Sequence, residues 1–395
     1  MKKWILIFTV LLAACADDGV DTAQNTVTTD VDLPVAEGEQ TVTSNIGGDD
    51  AFYQSVIPYE LSPSRGLTSS NMVSTYNIDG FEAGLLDFSK EVFDVEAYYF
   101  REGQVFTTDI VRGYLSRAFT EEEIEAMTDE EREERGAFSN MGLNPSVHGE
   151  TDEQVIAENY PRYLSHILEQ NYMQQDDDGN FTLEGMTVGL ALNSEHLYRR
   201  ENSSNIQSVS ISESDAVDFA EDAIGEILER LRANESYEDL DILFAVYIQS
   251  GRYDIVPGKF VMTAFSPGGA TEVETFNSIN EQYELLPATG ETVVSDAINA
   301  EYRNFNTRLT EYFDNFSSTI GLARFTDNQF DQLNIEIPID YTSRTEVIAM
   351  AQHVKDILES SFDGINTEVV ISSARDTYAV VTKDSDNNVN FYVFD

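Results

Sequence analysis

Met186-Thr187-Val188-Gly189-Leu190-Ala191-Leu192 is the stretch on which the fold turns. Its apolar residues follow one another without alternation, so it reads as a strand buried on both faces of a sheet. Downstream, Val217, Ala220, Ile224, Ile227, Leu228 and Leu231 form one apolar stripe on a helix predicted over 213–232. Two further strands follow, over 242–249 and 260–265, giving the order β-α-β-β.

The same order returns near the C-terminus. Strand patterns at 333–339, 368–372, 378–382 and 389–394 surround a helix pattern at 344–358. Between the two sets, Val294, Ile298, Tyr302, Phe305, Leu309, Tyr312 and Phe316 recur at steps of four and three. That spacing predicts a helix of about 25 residues, roughly 38 Å long, bridging the halves. Upstream, Thr120-Glu121-Glu122-Glu123 and Thr128-Asp129-Glu130-Glu131 are capping boxes for two short helices. Thr151-Asp152-Glu153-Gln154 caps a third, which the apolar residues Ile156, Tyr160, Tyr163, Leu164, Ile167 and Leu168 extend to about Tyr172. The predicted class is α+β: two related β-α-β-β halves with mixed sheets, linked by a long helix and preceded by a helix-rich N-terminal region. The expected division is 1–14, 15–50 and a body over 51–395, the last split into 51–183, 184–283 and 284–395.

The first fifteen residues carry Lys2-Lys3, an apolar run from Trp4 to Leu12, and then Leu12-Ala13-Ala14-Cys15. The run is shorter than the roughly twenty residues a spanning helix needs, and its charged start and small-residue end mark an export signal to be cut. Cys15 is the only cysteine of 395 residues, which excludes a disulfide within the chain and a Cys-based metal site. Directly after Leu12-Ala13-Ala14, its use is lipidation: a lipobox, cleaved before a diacylglyceryl cysteine. Two or three acyl chains anchor stably, since each buried CH₂ contributes about 0.8 kcal/mol. The expected partners are therefore the membrane, through lipid on Cys15, and the lipoprotein-processing machinery; the expected location is the extracytoplasmic face.

With 72 Asp+Glu against 23 Lys+Arg the formal net charge is −49, which disfavours nucleic acid and anionic lipid as partners. An exported chain of this balance fits halophilic adaptation, where ions screen the repulsion. Disorder is excluded for the body by 41% hydrophobic residues, including 23 Phe and 19 Tyr. Residues 16–50, rich in Asp, Thr, Val, Gly and Asn, read as a flexible acidic tether.

Candidate chemistry is sparse. His148, His166, His196 and His353 show no zinc-like spacing, and the chain has no Walker A, Rossmann or nucleophile-elbow motif, so no metal, cofactor or catalytic group is expected. Asp176-Asp177-Asp178-Gly179-Asn180 resembles part of a calcium loop, but register would put Gly185 where the bidentate acid belongs. It reads as a solvated loop between helix and strand, and Asp384-Ser385-Asp386-Asn387-Asn388 as a hairpin turn. Arg199-Arg200, just beyond the buried strand, are candidate ligand-binding residues, with surface salt bridges as the alternative.

Several motifs stand in an order that resembles one family. They include the lipobox, Arg65-Gly66-Leu67, Gly142-Leu143-Asn144-Pro145, Gly149-Glu150-Thr151-Asp152, Gly185-Met186-Thr187, Pro257-Gly258 and Ile339-Asp340-Tyr341. The chain resembles the CamS sex pheromone precursor lipoproteins of Gram-positive bacteria. The resemblance implies a noncatalytic surface lipoprotein whose discarded signal is a source of a short apolar pheromone. Here that peptide would be Phe8-Thr9-Val10-Leu11-Leu12-Ala13-Ala14. The family pheromone begins Ala-Ile-Phe-Ile, and this chain keeps only the Leu-Ala part of its ending, so a plain signal core is the alternative. A surface receptor or an enzyme whose site the sequence does not display is the alternative for the body, with a protein or small molecule as its ligand.

Overall fold

The computed structural model describes residues 40–42, 52–200, 204–289, 295–313, 319–339 and 343–394. Cys15, the lipobox Leu12-Ala13-Ala14, the segment 8–14 and nearly all of the stretch read as a tether lie outside the described residues.

The chain opens with β1 (Thr41–Val42), β2 (Gln54–Ile57), α1 (Arg65–Asn71), α2 (Thr75–Val92) and β3 (Tyr99–Glu102). Four short helices follow: α3 (Thr108–Leu115), α4 (Glu121–Ala126), α5 (Asp129–Arg135) and α6 (Glu153–Asn159). Then come β4 (Leu164–Gln175), β5 (Phe181–Leu192), β6 (Glu195–Arg199), β7 (Ile206–Ser210), α7 (Glu213–Arg232), β8 (Asp241–Ile248), β9 (Lys259–Ser266) and β10 (Phe276–Ser278). The remainder is β11 (Glu281–Leu286), α8 (Asp296–Tyr312), β12 (Ile320–Thr326), β13 (Gln329–Pro338), α9 (Arg344–Leu358), β14 (Asn366–Ser372), β15 (Thr377–Lys383) and β16 (Val389–Val393).

The class is α+β with mixed sheets. One sheet runs β1-β2-β3-β4-β5-β8-β9-β10, the other β11 to β16 in chain order, and β6-β7 form a separate pair. From β3 to β10 the neighbouring strands are antiparallel, antiparallel, parallel, antiparallel, antiparallel. From β11 to β16 the sequence of directions is the same. In each of these series a helix joins the parallel pair, α7 between β5 and β8 and α9 between β13 and β14, since parallel neighbours need a long crossover; β2 and β3 are a further parallel pair in the first sheet.

Local chemistry sets these helices. Ser212 accepts the Asp215 N–H at the start of α7, acids fill its first turn, and Arg230 and Arg232 stand in its last. Ser343 caps α9 in the same way through the Glu346 N–H. Burial of Ala220, Ile224, Ile227, Leu228 and Leu231 turns one face of α7 to the sheet. The other face of that sheet takes α2, and glycines on β5 make the room: a Cβ at Gly189 would sit 2.5 Å from Leu85, and one at Gly185 2.2 Å from Phe93.

Two expected helices differ. The predicted run to Tyr172 stops at Asn159, and Leu164–Gln175 is a strand paired with β5. Pro161 has no N–H to donate and disfavours helical backbone before it. The apolar residues beyond it, at helix-like spacing by coincidence, are buried as a central strand, with Ile167 and Tyr172 fully covered. The loop at 176–180 consequently joins two strands. The long helix spans 17 described residues in α8, Val294 and Phe316 lying outside the description, and it does not bridge the halves. Its Tyr302, Phe305 and Leu309 enter the core of the second sheet with Leu333, Ile335 and Val354. The sheets meet instead at Glu281, whose carboxylate accepts the Phe260 N–H of β9 at 2.6 Å and the Tyr283 hydroxyl at 3.0 Å.

Thr41–Val42, inside the stretch read as a tether, pair antiparallel with β2. Both acidic turns are hairpins with one bonding pattern. Asp176 accepts the Asn180 N–H and side-chain amide at 2.8 and 3.0 Å, and Asp384 does the same to Asn388 at 2.8 and 2.8 Å.

Candidate functional site

β5 and β8 run parallel and end together at Leu192 and Ile248. The chain after β5 is Asn193-Ser194-Glu195-His196, and after β8 it is Gln249-Ser250-Gly251-Arg252. Crevices outside the carboxyl ends of parallel strands are where open α/β sheets hold ligands. A cavity of about 400 Å³ lies there, lined by both of these segments and by Arg117, Glu153 and Arg162.

Its walls are fixed by buried amides. Gln249 Oε1 accepts the Val73 N–H at 2.9 Å, and Gln249 Nε2 donates to Asn193 Oδ1 at 3.3 Å. On α2, fully buried Asn77 holds the other side: its Oδ1 accepts the N–H groups of Ser250 and Gly258 at 2.9 and 2.8 Å. Asn193 Nδ2 donates to the Arg162 carbonyl at 3.0 Å, which ties the segment after α6 to the end of β5.

Three arginines carry its positive charge, and Glu153 and Glu195 its negative charge. Arg117 donates through Nη1 to the Pro145 carbonyl at 2.8 Å, and Arg162 through Nη1 to the Leu115 carbonyl at 3.2 Å. Burial lowers the Arg117 pKa to about 10, and the positive charge of Arg162 pushes the same way against Glu153. Burial lowers Arg162 as well. Arg252 is exposed at the rim. His196 accepts the Arg162 N–H at Nδ1, 2.8 Å away, so its ring is neutral with the hydrogen on Nε2. Burial, then Arg117 and Arg162, lower its pKa to about 4.

Of the histidines and the Arg199-Arg200 pair singled out in the sequence, His196 alone lines this cavity. Arg199 closes β6 and is exposed; Arg200 is exposed and donates to Gln154 Oε1 at 2.7 Å. Neither lines the cavity. His166 is buried against Thr68, its Nε2 2.9 Å from the hydroxyl, His148 packs near Tyr160, and His353 stacks on Tyr312 at 4.2 Å. The four histidines thus stand in separate surroundings. Among the described residues, no group of three His, Cys, Asp or Glu is placed to hold a metal ion, and no helix is long and apolar enough to cross a membrane.

Residues 59–389 match the model of a family described as CamS sex pheromone cAM373 precursor. The C-terminal domain of the sex pheromone staph-cAM373 precursor from Staphylococcus aureus is 33% identical, with a TM-score of 0.73 over 82% of this chain and 98% of that one. The sex pheromone precursor from Lactobacillus salivarius subsp. salivarius UCC118 is 25% identical, with a TM-score of 0.77 over 90% of this chain and 99% of that one. No curated protein matches at a significant level.

Proposed function

The chain belongs to the CamS sex pheromone cAM373 precursor family, and on that premise we propose that it is a lipoprotein held on the extracytoplasmic face of a Gram-positive membrane by lipid on Cys15. The observation that carries this reading is the conjunction of the family match over 59–389 with Leu12-Ala13-Ala14-Cys15 at the end of a charged-then-apolar leader. The acidic body has no electrostatic attraction to anionic lipid, so attachment rests on Cys15 alone. Mass spectrometry of the mature protein tests it: the expected N-terminus is a lipid-modified Cys15. A mature chain starting elsewhere, or a Cys15→Ala variant that is still lipidated, would contradict the proposal.

The leader is a source of the peptide Phe8 to Ala14. Because Phe8 and Thr9 replace the first residues of the family pheromone, the synthetic peptide should induce plasmid transfer weakly in cells that respond to that pheromone. Strong induction at low concentration would assign activity to the shared Leu-Ala ending. The body is noncatalytic in this reading.

A second reading, that the body is a surface receptor for a small ligand, is favoured by one observation: a cavity at parallel strand ends brings His196 together with Arg117 and Arg162. Saturation of the full chain by a small molecule, with loss of binding on substituting those side chains, is its test.

A further inference from the structure

We propose that the cavity at the carboxyl ends of β5 and β8 binds a small monocarboxylate carrying an apolar substituent, of amino-acid size, through the guanidinium groups of Arg117 and Arg162 and the ring N–H of His196. This rests on the receptor reading and names the ligand class.

Two arginines from separate parts of the chain line one cavity in a protein with 72 acidic and 23 basic residues. Each donates one hydrogen bond to a backbone carbonyl, Pro145 or Leu115, and guanidinium carries five donors. Among the described residues, neither forms an ion pair within 4.0 Å. The charge of Arg162 disfavours the Arg117 cation, and burial disfavours both, a cost that a bound anion relieves. Planar guanidinium matches the two oxygens of a carboxylate, and an N–H on His196 Nε2 adds a neutral donor.

The other walls select among anions. Glu153 and Glu195 also line the cavity, and Glu195 Oε1 accepts the Arg252 N–H at 3.3 Å. Negative charge so close disfavours a multiply charged group such as phosphate and tolerates a single carboxylate. Val73, Val147, Ile156 and Leu197 supply apolar surface for a side chain. The volume, about 400 Å³, lies at the small end of the roughly 300–1,000 Å³ typical of ligand pockets.

Isothermal titration of the full chain with leucine, N-acetylleucine, leucinamide and inorganic phosphate tests the assignment. Leucine and N-acetylleucine should bind, and leucinamide and phosphate should bind at least about tenfold more weakly, because each lacks the singly charged carboxylate. Arg117→Gln and Arg162→Gln should each weaken leucine by about tenfold or more while the far-ultraviolet spectrum stays unchanged. If either variant fails to fold, Arg252→Glu reverses an exposed rim charge and should weaken leucine severalfold. Leucinamide binding as tightly as leucine would overturn the carboxylate assignment and leave a receptor standing. Phosphate as the tightest probe, or leucine unaffected in every folded variant, would overturn it too. No binding by any of the four probes would overturn both the assignment and the receptor reading.

Discussion

From β3 to β10 the first sheet shares its sequence of strand directions and a helix crossover with the second, yet the two meet water differently. On β8 every residue from Ile242 to Ile248 is buried, whereas on β13 Leu333, Ile335 and Ile337 are buried and Asn334 and Glu336 between them are exposed. The first sheet lies between α2 and α7; the second packs α8 and α9 against one face. Gly185 and Gly189 admit α2 to the first sheet. The consequence is functional: α2 carries Asn77, which fixes the chain after β8 beside the cavity. Among the described residues, the outward face of the second sheet carries no tightly packed helix; α2 stands off from it across a polar cleft lined by Asp79 and Asp87 on the helix and by Tyr283, Arg324 and Asn334 on the sheet.

The comparison is most exposed to a pair of truncations. Phe244→Ala should cost about 3–5 kcal/mol of unfolding free energy, because a fully buried ring leaves a cavity in a strand with no free face. Asn334→Ala, on the outward face of β13, should stay within about ±0.5 kcal/mol. A loss from Asn334→Ala comparable to that from Phe244→Ala would mean that the second sheet is covered on both faces, and would break the contrast.

Next in size is a pH effect in the first half. Burial lowers the His166 pKa to about 4, so the unfolded chain binds a proton there more readily than the folded chain. Its contribution is present above about pH 6.5 and is lost as pH falls toward 4, amounting to about 3 kcal/mol. Urea melts of His166→Gln against the parent from pH 7 to 4 should show the variant's pH slope reduced by that amount; parallel slopes would count against it.

Smaller again, Gly189→Ala should cost about 1–3 kcal/mol by pushing α2 off β5. A neutral result in thermal melts would show that α2 yields at this contact. The smallest effect is the most general: melting temperature should rise by a few degrees with added NaCl, as ions screen a net charge of −49. A flat or falling midpoint would remove the halophilic reading of the composition.

Much of the fold was legible where chemistry is local. The helices α7 and α9 fall at 213–232 and 344–358 as expected, because a serine cap and an apolar stripe define each within its own sequence. The strand β4 was not legible, because its buried polar residues His166, Glu169, Gln170 and Asn171 satisfy their groups in contacts made by distant elements. Glu169, for example, accepts the Phe106 N–H at 2.6 Å. Pro161 was the available signal. The cavity was legible only through His196. Arg117, Arg162 and Arg252 lie far apart in the chain, and no spacing rule joins them. Arg199-Arg200 drew attention by adjacency in an acidic chain; Arg199 closes β6 and Arg200 lies just beyond it, both exposed, away from this cavity.

The central claim is that the doubly covered sheet, and not its one-sided counterpart, carries the ligand site. Hydrogen exchange of the full chain with and without saturating leucine tests it directly. The account predicts slowed exchange at residues 193–197 and 249–252 and in the segment around Arg162, with β11, β12 and β13 unchanged. Protection concentrated around Tyr283 and Arg324 instead would contradict it.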